Sequence, residues 1–169
     1  MPLNKSEGLY YLWREQMIAG IYFLKRRKGF GHFVSDHSAD GTLAGFVAKR
    51  IGLRVMYSNG KPSFMRSALD VLEMNKRMYM VGDGAHGPSK ELQREIPYLC
   101  ARTGVPLMHL QVQTSAALSF ARRWDKLKLP LPFSTITVTI HPPRRFAFDK
   151  DHDVAEVTND ASCTSSSDS

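Results

Sequence analysis

The residues best suited to chemistry in this 169-residue chain lie in short polar segments between apolar runs. Tyr57-Ser58-Asn59-Gly60-Lys61-Pro62-Ser63 brings hydroxyls, an amide, a flexible glycine and a cation to the start of an apolar-periodic stretch. At a helix N-terminus such a segment makes an anion site, because unpaired N–H groups and the helix dipole both favour negative charge. An ordinary strand-to-helix turn accounts for it equally well. In Asp83-Gly84-Ala85-His86-Gly87-Pro88, two glycines would let a phosphate approach the backbone, and a tight surface turn is the alternative. His37-Ser38-Ala39-Asp40 sets an imidazole three residues before a carboxylate, a spacing at which the acid orients or charges the ring for acid–base work. The simpler reading is that Asp40 caps a helix beginning near Thr42. His109 reads as a packed strand histidine, and Lys25–Lys28 as a solvated helix end, with anionic lipid contact second. Walker, HExxH, GxSxG and paired CxxC patterns are absent from the sequence, so P-loop hydrolysis, a zinc ribbon and a serine-hydrolase elbow have no support.

The elements that must position these residues follow from periodicity. Gly8–Trp13 is an apolar, aromatic strand, and Arg14–Lys28 a helix with Met17, Ile18, Ile21, Tyr22 and Leu24 at helical spacing. His32–Ser35 is extended, and Thr42–Ile51 a helix with Leu43, Phe46, Val47 and Ile51 on its apolar side. After a β-like Leu53–Tyr57, Ser63 can cap a helix to about Asn75 that turns Met65, Ala68, Leu69 and Leu72 inward. Met78–Val81 is a buried strand, Glu91–Arg102 a helix closed by Gly104, and Pro106–Val112 a strand. Ser134–Ile140 alternates Ile/Val with Ser/Thr, as in a strand exposed on one face, and Pro142-Pro143 stops it. Strands and helices alternating in this way predict an α/β fold: a single domain with a mostly parallel sheet and helices on both faces. Ligands of such sheets bind beyond the carboxyl ends of the strands, which selects Arg14–Gln16, Ser35–Gly41, Tyr57–Ser63 and Gly82–Pro88.

Composition narrows the partners. The net charge of +7 combines a 149–169 stretch of −5, with six acids against Lys150, and a body of +12 over residues 1–148. Such a body favours phosphates on nucleic acid, lipid headgroups or a small substrate. No run reaches the roughly 18 apolar residues a membrane span requires, and the start lacks a secretion-signal design. Cys100 in an apolar run and Cys163 in a Ser-rich stretch do not suggest a bridge, which fits a reducing compartment and a cytoplasmic location. Residues 1–148 therefore form the expected domain, and 149–169 an acidic, Ser-rich, disordered tail dispensable for folding.

Read in order, these pieces have a family resemblance. Leu12-Trp13, Ser35 to Ala44, Ser58 with Gly60, Asp83-Gly84 to Gly87-Pro88, Leu99 to Leu107 and Trp124 to Ser134 resemble the bacterial branch of the lysophospholipid-acyltransferase-like superfamily catalogued as a domain of unknown function. The match runs from about Leu9 to Pro143. The resemblance implies transfer of an acyl chain from a thioester, acyl-CoA or acyl carrier protein, to a hydroxyl of a lysolipid or phosphorylated lipid acceptor. It places the protein peripherally on the cytoplasmic face of a membrane; the +12 body makes an anionic surface the expected contact, no metal is expected, and nucleic acid is disfavoured because no RNA or DNA motif is interleaved with aromatics and the acidic tail would compete with the phosphates. In that superfamily a histidine is the general base and glycine-rich loops with basic residues hold the phosphate. Here Trp13-Arg14 replaces the family's Trp-His, and arginine stays protonated at neutral pH. Asp83-Gly84-Ala85-His86-Gly87-Pro88 replaces a turn that carries arginine, so the two residue types are exchanged. The catalytic expectation is then His86 as base, Arg14 on the phosphate or thioester oxygen, and Asp83 beside them, with Ser58, Asn59, Gly60, Lys61, Gly84 and Gly87 holding the acceptor phosphate. The alternative is a catalytically inactive lipid- or phosphate-binding module of the same fold.

Overall fold

A computed structural model describes residues 8–26, 31–58, 62–74, 77–84, 88–120, 122–149 and 153–157, the side chains of 25 and 26 excepted. The strands are β1 (Leu9–Leu12), β2 (His32–Asp36), β3 (Arg54–Ser58), β4 (Met78–Val81), β5 (Leu107–Thr114), β6 (Ala117–Ser119), β7 (Lys128–Pro130), β8 (Ile136–Ile140), β9 (Arg145–Phe148) and β10 (Val154–Val157). The helices are α1 (Met17–Arg26), α2 (Ala39–Arg50), α3 (Pro62–Glu73) and α4 (Glu95–Thr103), and one 3-10 turn, Arg14–Gln16, leads into α1. Six strands form one sheet in the order β3-β2-β4-β1-β5-β8. The first five are mutually parallel, and β8 runs antiparallel along the outer side of β5.

Short parallel strands buried on both faces read as continuous apolar runs, and successive side chains point to opposite sides. Tyr10, Leu12, Phe33, Tyr79, Val81, Met108 and Leu110 pack with Met17, Ile21 and Leu24 of α1 and Ala44 and Ala48 of α2. Their neighbours Leu9, Tyr11, Val34, Met78, Met80 and Leu107 pack with Phe64, Ala68 and Leu72 of α3 and Ile96, Leu99 and Cys100 of α4. This is the expected α/β domain with helices on both faces, and the carboxyl ends of β1 to β5 share one edge.

Several local expectations fail for identifiable reasons. Helix α2 turns Gly41, Ala44, Gly45 and Ala48 to the sheet, and Leu43, Phe46 and Val47 are exposed. Two stripes of α2 satisfy the apolar period, and close approach to the sheet selects the small one: a Cβ on Gly45 would lie 2.6 Å from the Tyr57 hydroxyl. Helix α3 begins at Pro62, whose fixed φ suits a first helical position, so Ser63 lies within the helix and does not cap it. It buries Phe64, Ala68 and Leu72, with Met65 and Leu69 at the margin. Helix α4 starts at Glu95, four residues later than Glu91, with Pro97 in its first turn, where a missing N–H costs nothing. Gly104 closes it at φ 71°, as its position suggested. The stretch after Phe148 is not disordered throughout: Val154–Val157 pairs antiparallel with β9, and Arg144 holds Glu156 at 2.5–2.8 Å.

Candidate functional site

The carboxyl edge is organised around Arg14. Its backbone N–H donates to Asp83 Oδ1 at 2.9 Å, joining the 3-10 turn after β1 to the loop after β4. Its guanidinium, with the residue 1% exposed, donates from Nη1 to Asp36 Oδ2 (2.8 Å) and the Gly84 carbonyl (2.9 Å), and from Nη2 to Ser38 Oγ (2.7 Å). Nε lies 3.4 Å from Asp125 Oδ2, close enough for ion pairing without the alignment of a hydrogen bond. Trp124 covers the group, its ring centroid 5.9 Å away. Asp125 is fully buried and is also gripped by the Arg123 guanidinium through both oxygens at 3.0 Å, and Arg123 pairs in turn with Asp40. Carboxylates and guanidiniums thus alternate from Asp36 through Arg14, Asp125 and Arg123 to Asp40. Such geometry keeps buried charges tolerable, because each remains paired and hydrogen-bonded. Burial alone would raise the Asp125 pKa; the Arg123 and Leu127 hydrogen bonds and both arginine charges outweigh it and hold the carboxyl below its ordinary value.

This arrangement corrects the role expected of Arg14. A guanidinium enclosed by four protein oxygens has no open face for a phosphate or thioester, so Arg14 is a clamp. Asp83 is equally committed: it is 1% exposed and accepts the backbone N–H groups of Arg14 and Lys90. Gly84 adopts φ +58° and supplies its carbonyl to Arg14. Asp40 neither caps α2 nor orients His37. Ser38 Oγ is the cap, accepting from Gly41 N–H at 3.1 Å, because its position brings the hydroxyl over the first turn, and Asp40 turns to Arg123. His37 is exposed and stacks on Tyr57, ring centroids 5.1 Å apart. Ser58 ends β3 level with Asp36 in the register. Asn59, Gly60, Lys61, His86 and Gly87 lie outside the described residues. Asp36 and Ser38 lie in the Ser35–Gly41 loop that the strand pattern selects, but no role falls to them, to Arg123 or to Asp125 from the sequence, since nothing local shows which carboxylate will meet Arg14.

Beside the clamp a polar cleft of about 500 Å³ opens between the 3-10 turn, the end of β5 and β7. Glu15, nearly buried in its wall, accepts Lys90 Nζ at 3.1 Å and Lys128 Nζ at 2.5 Å, and Gln111, Gln113 and Thr114 add amides and a hydroxyl. Burial opposes the Glu15 charge, but the bonds and charges of the two lysines prevail and lower its pKa. Two ammonium groups against one carboxylate leave the cleft with one positive charge. Lys90 holds its position at φ +61°, a conformation that costs a non-glycine residue energy and clusters at functional sites. Farther along β5, His109 stacks between Tyr11 (4.7 Å) and His141 (5.0 Å), with burial and then the charges of His141 and Arg144 lowering its pKa. Among the described residues no three His, Cys, Asp or Glu side chains are grouped to hold a metal ion, and no helix is long and apolar enough to cross a membrane.

Comparison with known proteins bears on the fold. No family model matches the chain. A protein of Rickettsia prowazekii (strain Madrid E), named Uncharacterized protein RP090, is 23% identical over 151 residues, which cover 88% of this chain and 68% of that protein. Among solved structures, the 1-acyl-sn-glycerophosphate (LPA) acyltransferase PlsC of Thermotoga maritima superposes with a TM-score of 0.52 at 13% identity. The superposition covers 84% of this chain but only 57% of the Thermotoga chain. The chain therefore shares the α/β fold of that acyltransferase and spans little more than half its length.

Proposed function

We propose that the protein binds a phosphate-bearing lysolipid at the carboxyl edge of an acyltransferase fold, peripherally at the cytoplasmic face of a membrane, without transferring an acyl chain to it. The observation that carries this reading is the state of Arg14. The residue at the place of the family's base is a buried guanidinium, hydrogen-bonded through both Nη atoms and ion-paired with Asp36 and Asp125, that can neither accept a proton nor turn toward a ligand. Binding chemistry lies next to it. Lys90 and Lys128 each spend one contact on Glu15 and keep further donors for a phosphate, and Ser58 ends β3 at the same edge, level with Asp36.

A second reading, acyl transfer from acyl-CoA or acyl carrier protein, is favoured by the fold and by His37, exposed beside the clamp. There a loop histidine, His37 or His86, takes the acceptor hydroxyl's proton as its oxygen attacks the thioester carbonyl, and the departing thiolate is protonated. Purified protein incubated with labelled acyl-CoA or acyl carrier protein thioester and a panel of lysolipids separates the two. Saturable lysolipid binding, weakened in Lys90→Ala and Lys128→Ala and accompanied by no labelled product, is expected. Product that disappears in His37→Ala or His86→Ala establishes the second reading, and absence of both binding and product overturns both.

A further inference from the structure

Helix α2 is built inside out relative to an ordinary surface helix. Its small residues Gly41, Ala44, Gly45 and Ala48 are buried, whereas Leu43 is 56% and Phe46 61% exposed. Leu43, Phe46, Val47 and Arg50 recur at i, i+3, i+4 and i+7, so they form one stripe on the outer side of the helix. The stripe continues onto α1: Tyr22 is 48% exposed and, with Ile18, Phe46, Val47, Arg50 and Ile51, lines an apolar groove of about 510 Å³ between the two helices. Single exposed apolar residues are ordinary on protein surfaces, but a contiguous stripe of large ones marks a surface that meets something.

Charge selects the partner. The stripe ends in Arg50, with Lys49 exposed beside it, and in sequence the end of α1 reads Lys25-Arg26 followed by Arg27-Lys28, within a net charge of +12 over residues 1–148. An anionic bilayer offers apolar depth for Phe46, Leu43 and Tyr22 and negative headgroups for Arg50 and Lys49 beside them. We propose that the α1–α2 face docks on an anionic membrane, Phe46, Leu43 and Tyr22 entering the headgroup–acyl boundary and Arg50 pairing with lipid phosphates. The choice of a membrane rests on the lipid-binding reading above; the face is separate from the carboxyl-edge cleft and is testable apart from it.

Flotation with vesicles of phosphatidylcholine alone, and with an equimolar mixture of phosphatidylcholine and phosphatidylglycerol, tests the docking face. The expected result is preference for the mixed vesicles, lost at high salt and reduced about tenfold in Phe46→Glu and in Leu43→Glu. Both side chains are largely exposed, so an unchanged melting temperature in each variant separates lost docking from lost folding. Wild-type protein that binds neither vesicle, or both equally, or variants that bind as tightly as wild type, would overturn the proposal. So would a dimer in sedimentation velocity that Phe46→Glu dissociates, which would assign the face to a second copy. Binding of a soluble short-chain lysophosphatidic acid, measured in parallel, keeps the two ideas apart. If that binding persists while vesicle binding ignores Phe46, the docking face fails and the lipid reading stands. If it is absent while Phe46→Glu abolishes flotation, the reverse holds.

Discussion

At the scale of single residues, the fate of Arg14 follows from how a protein can bury a guanidinium. Arginine keeps its proton, so once inside it must be met by acceptor oxygens, and the carboxylates of Asp36 and Asp125, the Ser38 hydroxyl and the Gly84 carbonyl do this. Stability should consequently depend on acidic pH with a defined sign. The carboxyls of Asp125 and Glu15 titrate below their ordinary values of 3.8 and 4.5 in the folded protein, so the unfolded chain binds protons first as pH falls. Their contribution is complete above the unfolded values and is lost as pH drops through the lower folded ones, below about pH 4. Denaturant titrations across that range should show stability falling with acidification. Asp125→Asn should flatten the slope while lowering neutral-pH stability by about 3–5 kcal/mol, the cost of breaking a buried pair. An unchanged slope would mean that Asp125 is not the titrating partner of the two arginines.

At the scale of elements, α2 shows how a helix is placed by its smallest side chains. Gly41 donates its N–H to Ser38 Oγ, accepts the Ser35 hydroxyl on its carbonyl, and leaves no room for a Cβ against the backbone and carboxylate of Asp36. Gly41→Ala should improve intrinsic helix propensity and still destabilise, by about 1–3 kcal/mol, because Asp36 has to move and it is bonded to Arg14. Chemical denaturation of the variant measures this, and a stabilised Gly41→Ala would show that the helix can slide outward. The same packing explains why apolar periodicity finds this helix but points to the wrong face of it as the buried one. Leu43, Phe46 and Val47 carry the stronger apolar signal, but the sheet accepts only the face that fits within its approach distance.

At the scale of the whole molecule, the acidic C-terminal stretch belongs partly to the folded body. Strand β10 pairs with β9, Arg144 bonds Glu156, and Phe148 meets Tyr98 of α4 edge to face at 5.6 Å. Deleting residues 149–169 removes β10 and unpairs β9, so the melting temperature should fall by several degrees, given roughly 2–4 °C per kcal/mol for a chain of this length. Scanning calorimetry on the truncated and full chains decides it. No change would restore the view that everything after Phe148 is dispensable.

Much of this architecture is determined by the sequence alone. Apolar runs such as Leu9–Leu12 and Met78–Val81 are too short for helices and too continuously apolar for edge strands, and the helical stretches between them favour parallel crossovers. That pattern places the loops after β1, β2, β3 and β4 at one edge, and the identity of residue 14 already excludes it as a base. Which partner each loop residue meets was decided only by the tertiary structure. Arg123 and Asp40 stand 83 residues apart, and Asp125 reaches Arg14 from the segment between β6 and β7, which carries no periodic signal. Periodicity reports contacts within a turn or a strand pair, whereas pairing across loops depends on strand order and helix approach, which exist only once the sheet has assembled.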